Sequence, residues 1–66
     1  MEITVNGERR AVAPGTTVQH LLDALRVERR ACAVEINREL VPRSLHPARA
    51  LQPGDAVEIV TLVGGG

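Results

Sequence analysis

The sequence predicts an α+β fold in which a mixed sheet of four to five strands carries one main helix on one face. Several short stretches alternate polar and apolar residues, which is typical of strands. One longer stretch repeats apolar residues every three or four positions, as a helix does. The 66 residues suit one small domain, with elements in the order β-β-α-β-(β)-β. A helix with one apolar stripe covers one sheet face and leaves the other open.

A hairpin is predicted at the start of the chain. Residues 2–5 alternate polar and apolar side chains, and residues 8–12 form the returning strand. Asn6 and Gly7 lie between them, and both central positions of a type I′ turn need the positive φ that these residue types adopt readily. Pro14 and Gly15 then end the second strand.

A helix is predicted next. Thr16 and Thr17 are both suitable N-caps, and Thr16 with Gln19 fits a capping box. We expect the helix to end between residues 26 and 28, with arginines near that end, where the helix dipole favours cations. The apolar stripe consists of Val18, Leu21, Leu22 and Leu25, and the arginines are Arg26, Arg29 and Arg30.

The second half of the chain is predicted to supply the remaining strands. Residues 32–36 alternate, residues 37–39 form a turn, and residues 40–41 make a short edge strand that Pro42 stops. Residues 43–51 are expected to be irregular or to form a short 3₁₀ turn. Residues 52–55 fit a type II turn, with Pro53 and Gly54 at its central positions.

Residues 56–63 form the last and most hydrophobic predicted strand. If Val57 and Ile59 face the helix, then Val60 and Leu62 lie on the open face together with Glu58. Apolar residues on such a face often mark a partner site. We therefore expect this face to contact another protein.

Composition excludes several classes of function. The chain has no aromatic residues and a formal net charge of +0, which argues against nucleic-acid binding. Its single cysteine excludes a disulfide scaffold, and no apolar run approaches the length of a membrane span. Met1 leads directly into a strand pattern, so no signal peptide is expected and a cytoplasmic location is predicted.

Few side chains suggest chemistry of their own. Cys32 shares its side of the strand with Val34 and Ile36, so it is expected to pack in the core. His20 and Asp23 are expected at solvated helix positions, and Asp55 is expected to serve the turn. With two histidines and one cysteine far apart in sequence, no metal site is predicted.

The most unusual feature is the tail of three glycines, Gly64, Gly65 and Gly66. Glycine adds no buried surface and loses the most conformational entropy on ordering, so the tail does not stabilise the fold. A tail without Cβ atoms can enter a narrow channel and present its carboxylate there. Once activated as an acyl-adenylate, that carboxylate would accept sulfur and become a thiocarboxylate.

The element order and four segments carry a family resemblance. The segments are residues 15–18 with Leu21 and Leu22, the Asn-Arg-Glu-Leu-Val-Pro-Arg stretch at residues 37–43, the turn at residues 51–55, and residues 63–66. Together they resemble the ThiS family, the sulfur carrier proteins of thiamine (thiazole) biosynthesis, over essentially the whole chain. The terminal Gly-Gly alone is shared with ubiquitin and the molybdopterin synthase small subunit, whereas the Val-Pro-Arg segment and the short length favour ThiS.

The resemblance implies a β-grasp (ubiquitin-like) fold, a single domain over residues 1–66 with residues 64–66 as a flexible tail, and a last strand paired to the first. It also implies a protein co-substrate that is not an enzyme. An E1-like (ThiF-like) adenylyltransferase would use ATP and Mg²⁺ to adenylate Gly66. Sulfur derived from a cysteine desulfurase would give the thiocarboxylate, and a ThiG-like thiazole synthase would take that sulfur.

Specific residues receive roles by the same resemblance. Gly66 is the modified residue, Gly65 and Gly64 provide access, Leu62 and Val63 line the mouth of the partner channel, and Val60 contacts the partner from the open face. Three alternatives remain open: a carrier of another pathway like the molybdopterin synthase small subunit, a covalent protein modifier, and a non-covalent β-grasp interaction module.

Overall fold

The computed structural model describes residues 1–28 and 32–61. Within these ranges the chain forms a five-stranded mixed sheet with one α-helix. The elements are β1 (Glu2–Val5), β2 (Glu8–Ala11), α1 (Val18–Ala24), β3 (Cys32–Ile36), β4 (Glu39–Val41), a 3₁₀ turn (Arg43–Leu45) and β5 (Ala56–Thr61). The predicted fold class is confirmed.

The strands lie in the order β2-β1-β5-β3-β4, so the last strand is central. β5 pairs in parallel with β1 and antiparallel with β3. The short strand β4 lies at one edge, as Pro42 directly after it predicts. β1 pairs with the first residues of β5, Ala56 and Val57, whereas β3 pairs with β5 as far as Thr61.

The β1–β2 hairpin forms as predicted. Asn6 and Gly7 have φ values of 50° and 84°, the positive values that a type I′ turn requires. A second turn of this kind joins β3 to β4, where Asn37 and Arg38 have φ values of 52° and 70°. The predicted type II turn also forms, with Gly54 at φ 83° and the Asp55 N–H donating to the Gln52 carbonyl at 3.1 Å.

Of the two predicted N-caps, the structure uses the second, and the helix begins at Val18. Thr17 is the N-cap: its hydroxyl accepts from the His20 N–H at 3.1 Å, while the His20 Nδ1 accepts from the Thr17 N–H at 3.2 Å. The predicted capping box of Thr16 with Gln19 is therefore wrong. Thr16 is still extended, because its carbonyl accepts from the Leu51 N–H at 2.9 Å, in an extended pairing that also includes Thr17 and Ala50.

The helix ends earlier than predicted, at Ala24 with Leu25 as C-cap. Arg26 has φ 58° and its N–H donates to the Asp23 carbonyl, while the Val27 N–H donates to the Leu22 carbonyl at 2.9 Å. These two bonds form a Schellman motif that turns Val27 back onto the core. No basic residue lies in the last turn, so the predicted dipole contribution of Arg26 is wrong; Arg29 and Arg30 lie outside the described residues.

The core lies between α1 and one face of the sheet. Ten buried residues form it: Ile3, Val18, Leu21, Leu22, Cys32, Val34, Ile36, Val41, Leu51 and Val57. The helix contributes three members of its predicted stripe, while Leu25 is only partly buried because it lies at the C-cap. The other face of the sheet has no element across it among the described residues.

The segment between β4 and β5 is irregular with one 3₁₀ turn, as predicted, but it contains an unexpected buried side chain. His46 is only 1% exposed. Its ring Nε2 lies 3.2 Å from the Val41 carbonyl, and its own carbonyl accepts from the Gln19 N–H at 3.0 Å. His46 thus holds this segment against both the edge strand and the helix.

Candidate partner-binding surface

The open face of the sheet is set by strand alternation. Because Cys32, Val34 and Ile36 are buried under the helix, the intervening Ala33 and Glu35 face the other way. In the central strand, Val57 is buried, whereas Glu58 and Val60 face the open side with Ala56. The predicted orientation of this strand is confirmed as far as Thr61.

The apolar part of the open face lies near the end of β5. Val60 is 54% exposed and stands directly opposite Ala33 on β3. Leu40 on the edge strand is 65% exposed and lies opposite Glu35. Single exposed aliphatic residues are ordinary on protein surfaces. Here Val60 lies on β5 itself, and Leu40 lies on the same face two strands away, with β3 between them.

An acidic pair lies next to these aliphatic residues. Glu35 and Glu58 are directly opposite each other on β3 and β5. Neighbouring strands place the Cβ atoms of such a pair about 5 Å apart, and like charges in this arrangement repel each other. The open face is therefore mixed in chemistry: two carboxylates lie at its centre, with aliphatic groups beside them.

The Asn6 side chain fastens the far end of β5. Its Oδ1 accepts from the Ile59 N–H at 2.8 Å, and its Nδ2 donates to the Ile59 carbonyl at 3.3 Å. Its own N–H donates to the Val57 carbonyl at 2.8 Å. The turn residue thereby continues the pairing of β1 with β5 beyond the end of β1, to within two residues of Thr61.

A cluster of polar groups around the buried Asp55 side chain holds the beginning of β5 in place. The Asp55 side chain accepts from Asn37 Nδ2 at 3.0 Å and from the Gln52 N–H at 2.8 Å, and it lies 3.7 Å from Arg49. Asn37 Oδ1 in turn accepts from the Ala56 N–H at 3.0 Å. Asp55 is a turn residue as predicted, but it also joins two turns to the central strand.

Cys32 lies in the core, 3% exposed, and begins the strand opposite Thr61. Burial raises the pKa of its thiol above the ordinary value of 9.0, and the nearby Arg43 guanidinium partly offsets that increase. A thiol in this state is a poor nucleophile near neutral pH. Core packing, as predicted, describes Cys32 better than a reactive role does.

Other sites on the described residues offer little to a small molecule. An open cleft of about 490 Å³ lies on the helix side of the β1–β2 hairpin, lined by Val5, Leu25, Val27 and Ile59 with Arg10 at its border. In residues 1–28 and 32–61, no group of three or more metal-ligating side chains comes together. No helix in these ranges is long and apolar enough to cross a membrane.

Of the predicted site residues, the structure describes Val60, which it places on the open face as predicted. Leu62, Val63, Gly64, Gly65 and Gly66 lie outside the described residues. Sequence reasoning missed the facing of Glu35 and Glu58, because that depends on the register between β3 and β5. It also missed the Asn6 side-chain bonds, for which the Asn-Gly turn signal gives no indication.

Comparison with known proteins agrees with this fold. The sequence profile of the ThiS family matches residues 3–66. The chain is 44% identical over 66 residues to a thiazole synthase of Paramagnetospirillum magneticum, of which it spans only 20%. It is 32% identical to the sulfur carrier protein ThiS of Escherichia coli, covering 100% of both chains.

A solved structure gives the same result. The crystal structure of a thiamine biosynthesis protein (ThiS) from Geobacter metallireducens superposes with a TM-score of 0.85, at 39% identity and with 100% of both chains covered. The five-stranded mixed sheet with its single helix is thus the β-grasp arrangement of those proteins. On the profile match across residues 3–66 and the full-length relatives, the chain belongs to the ThiS family.

Proposed function

We propose that this protein is a sulfur carrier of thiamine biosynthesis, acting as a co-substrate of other enzymes. The observation that carries the proposal is the family match, which extends through the last strand and all three glycines to residue 66. Relatives covered over their whole length are named sulfur carrier protein ThiS.

The proposed chemistry takes place at the carboxylate of Gly66. An E1-like adenylyltransferase transfers AMP from ATP, with Mg²⁺, to that carboxylate and releases pyrophosphate. A sulfur nucleophile then attacks the acyl carbon and displaces AMP, and the final product is a thiocarboxylate. In the proposed cycle the sulfur comes from a cysteine desulfurase as a persulfide, whose outer sulfur forms an acyl disulfide as AMP leaves. A second protein thiol then attacks the inner sulfur of that acyl disulfide, so that a disulfide forms and the thiocarboxylate is released. The ATP and Mg²⁺ belong to the activating enzyme.

A thiazole synthase is the proposed acceptor of the sulfur. Two relatives named thiazole synthase contain a segment matching the whole of this chain, so the two kinds of domain occur in one polypeptide in those organisms. This favours the thiazole pathway over a carrier like the molybdopterin synthase small subunit. We place the cycle in the cytoplasm, since a reducing compartment preserves a thiocarboxylate and the free thiol of Cys32.

The structure supports the proposed division of labour along β5. The proposed partner contacts are Val60, Leu62 and Val63, which precede the tail in the sequence. In the proposal the partner binds these residues, while Gly64 and Gly65 give access to Gly66. Both ends of the described strand are fixed, by Asp55 at one end and by the Asn6 side chain near the other.

Intact-mass spectrometry tests the proposal. The protein is incubated with an E1-like adenylyltransferase from the same genome, ATP, Mg²⁺ and sulfide. We expect a mass gain equal to the replacement of one oxygen by sulfur, and no gain in a variant lacking Gly66. An unchanged mass with an enzyme that activates another ThiS-family carrier would refute the proposal. Retained cellular function without Gly65 and Gly66 would favour a non-covalent interaction module.

A further inference from the structure

The acidic pair on the open face lowers the stability of the sheet and makes no contact within the described part of the chain that would raise it. Glu35 and Glu58 are directly opposite each other on the two strands at the centre of this face. Like charges in such cross-strand pairs oppose sheet formation. Neither carboxylate has a hydrogen-bond or ion-pair partner among the described residues. The pair is therefore left without a structural role of its own.

Among the residues that the structure describes, no arginine pairs with either carboxylate. On the open face Arg9 is two strands away from β5, and its side chain lies 3.9 Å from Glu2. Arg49 lies 3.7 Å from Asp55 at the beginning of β5. Within the described ranges, the centre of the open face thus presents two negative charges although the formal net charge of the whole chain is +0.

Aliphatic side chains border the two carboxylates. Val60 and Ala33 form the next cross-strand pair toward the end of β5, and Leu40 lies opposite Glu35 on the edge strand. Val60 and Leu40 are 54% and 65% exposed. A charged centre beside apolar surface is complementary to a cationic side chain surrounded by aliphatic groups, because the apolar contact excludes water and strengthens the ion pair.

We infer that the acidic pair binds a basic side chain of the thiazole synthase, inserted between Glu35 and Glu58 while aliphatic residues around it pack on Val60, Ala33 and Leu40. This inference rests on the proposed function. Arginine suits the position best, since its planar guanidinium can donate to two carboxylates at once. The occurrence of this domain inside thiazole synthase polypeptides favours that enzyme as the occupant.

The acidic pair lies close to the reactive end of the chain. Glu58 lies three residues before Thr61, which is about 10 Å along a strand. The five residues after Thr61 span at most about 18 Å whatever their conformation. The Gly66 carboxylate is therefore at most about 28 Å from a cation bound at the acidic pair. A contact at the pair would therefore contribute to the affinity and also limit how far the tail can extend into the enzyme.

Binding measurements on a double variant test the inference. The affinity of the full-length protein for a thiazole synthase from the same genome is measured by calorimetry at several NaCl concentrations. For Glu35→Gln with Glu58→Gln we expect binding about tenfold or more weaker and a shallower dependence on salt. The matched control is Glu8→Gln with Glu39→Gln, which removes two exposed strand carboxylates outside the open face and should change the affinity by less than about twofold.

Stability provides a second readout. Removing the repulsion between Glu35 and Glu58 should leave the midpoint of urea unfolding equal or higher, so weaker binding by the double variant cannot come from unfolding. Unchanged binding in the double variant, or an equal loss in the control, overturns the inference. So does a double variant that loses only its adenylation while still binding the thiazole synthase normally.

Failure of the inference and failure of the proposed function are distinguishable. If the wild-type protein gains the thiocarboxylate mass but the double variant binds the thiazole synthase unchanged, only the acidic-pair contact is wrong. If the wild-type protein neither gains that mass nor binds the enzyme, the proposed function is wrong and the inference falls with it.

Discussion

The helix-covered face and the open face of the same five strands differ in what they bury. On the covered face Val34 is 0% exposed and packs with Val18 and Leu22 of the helix. On the open face the neighbouring positions hold the acidic pair and the exposed Val60. The difference indicates that the covered face supplies stability, and the open face is the one that we propose for recognition. Substitutions on the two faces should therefore affect different measurements.

The largest effect on stability is expected for Leu22→Ala. Leu22 is fully buried, and truncating such a residue costs about 2–5 kcal/mol of the free energy of unfolding, through lost burial and the cavity that remains. Urea denaturation measures it. Leu40→Ala on the open side is the matched control and should stay within about 0.5 kcal/mol of the wild type. Equal losses of stability in the two variants would contradict the claim that the covered face contributes more to stability than the open face.

Asp55→Ala should destabilise the protein by about 2 kcal/mol, because the Asn37 Nδ2 and the Gln52 N–H would lose their acceptor in a partly buried place. Thermal and urea unfolding both report this loss. Asp23→Ala removes an exposed carboxylate that accepts only from Gln19 Nε2 and should change stability by less than about 0.5 kcal/mol. A similar small change for Asp55→Ala would show that β5 does not depend on this cluster.

Alkaline pH should weaken the covered face through Cys32. Its pKa is raised in the folded protein, so the folded state favours the neutral thiol more than the unfolded state does. The resulting stability is complete well below pH 9 and decreases as the pH rises through and above that value. The free energy of unfolding, followed from pH 7 to pH 10, should fall less in Cys32→Ala than in the wild type.

The thiol's access gives an independent check on the same residue. Iodoacetamide should label Cys32 slowly in the folded protein and rapidly in urea, since the side chain is 3% exposed. Rapid labelling of the folded protein, or identical pH profiles for the wild type and Cys32→Ala, would contradict a buried neutral thiol at this position.

The smallest effect on stability is expected for Val60→Ala, within about 0.5 kcal/mol of the wild type, since the residue is half exposed. Its binding to a thiazole synthase should nevertheless weaken by about fivefold, which corresponds to about 1 kcal/mol of lost contact. Thr4→Ala, on the same face but nearer the hairpin edge, is the control and should bind normally. A destabilised Val60→Ala would place this residue in the core instead.

The sequence was sufficient to predict most of the fold because its signals are local. Asn6-Gly7 and Pro53-Gly54 specify turns through their own backbone preferences, and the stripe Val18, Leu21 and Leu22 specifies the buried helix face. The errors arose where distant residues decide. The Thr16 carbonyl accepts from the Leu51 N–H, so the capping box forms at Thr17 instead of Thr16. Val27 packs against the core, and the helix ends before it.

The candidate surface was only partly predictable for the same reason. Alternation alone placed Val60 on the open face. The facing of Glu35 with Glu58, by contrast, depends on the antiparallel register of two strands 21 or more residues apart in the chain. The burial of His46 likewise depends on its contacts with the Val41 carbonyl and with the start of the helix. Residues 43–51 show no hydrophobic periodicity from which this burial could be predicted.

The attachment of Asn6 to Ile59 has a mechanical consequence. We consider a pulling force applied at Thr61 along the axis of β5, as a partner that holds the tail would exert in the proposed cycle. Because β5 lies between β1 and β3, that force acts in shear on the bonds to both neighbours and on both Asn6 side-chain bonds at the same time. Bonds that share a force in parallel resist it together, whereas an edge strand could be peeled away one bond at a time. A central β5 held by Asn6 is therefore better suited to withstand a pulling force than an edge strand would be.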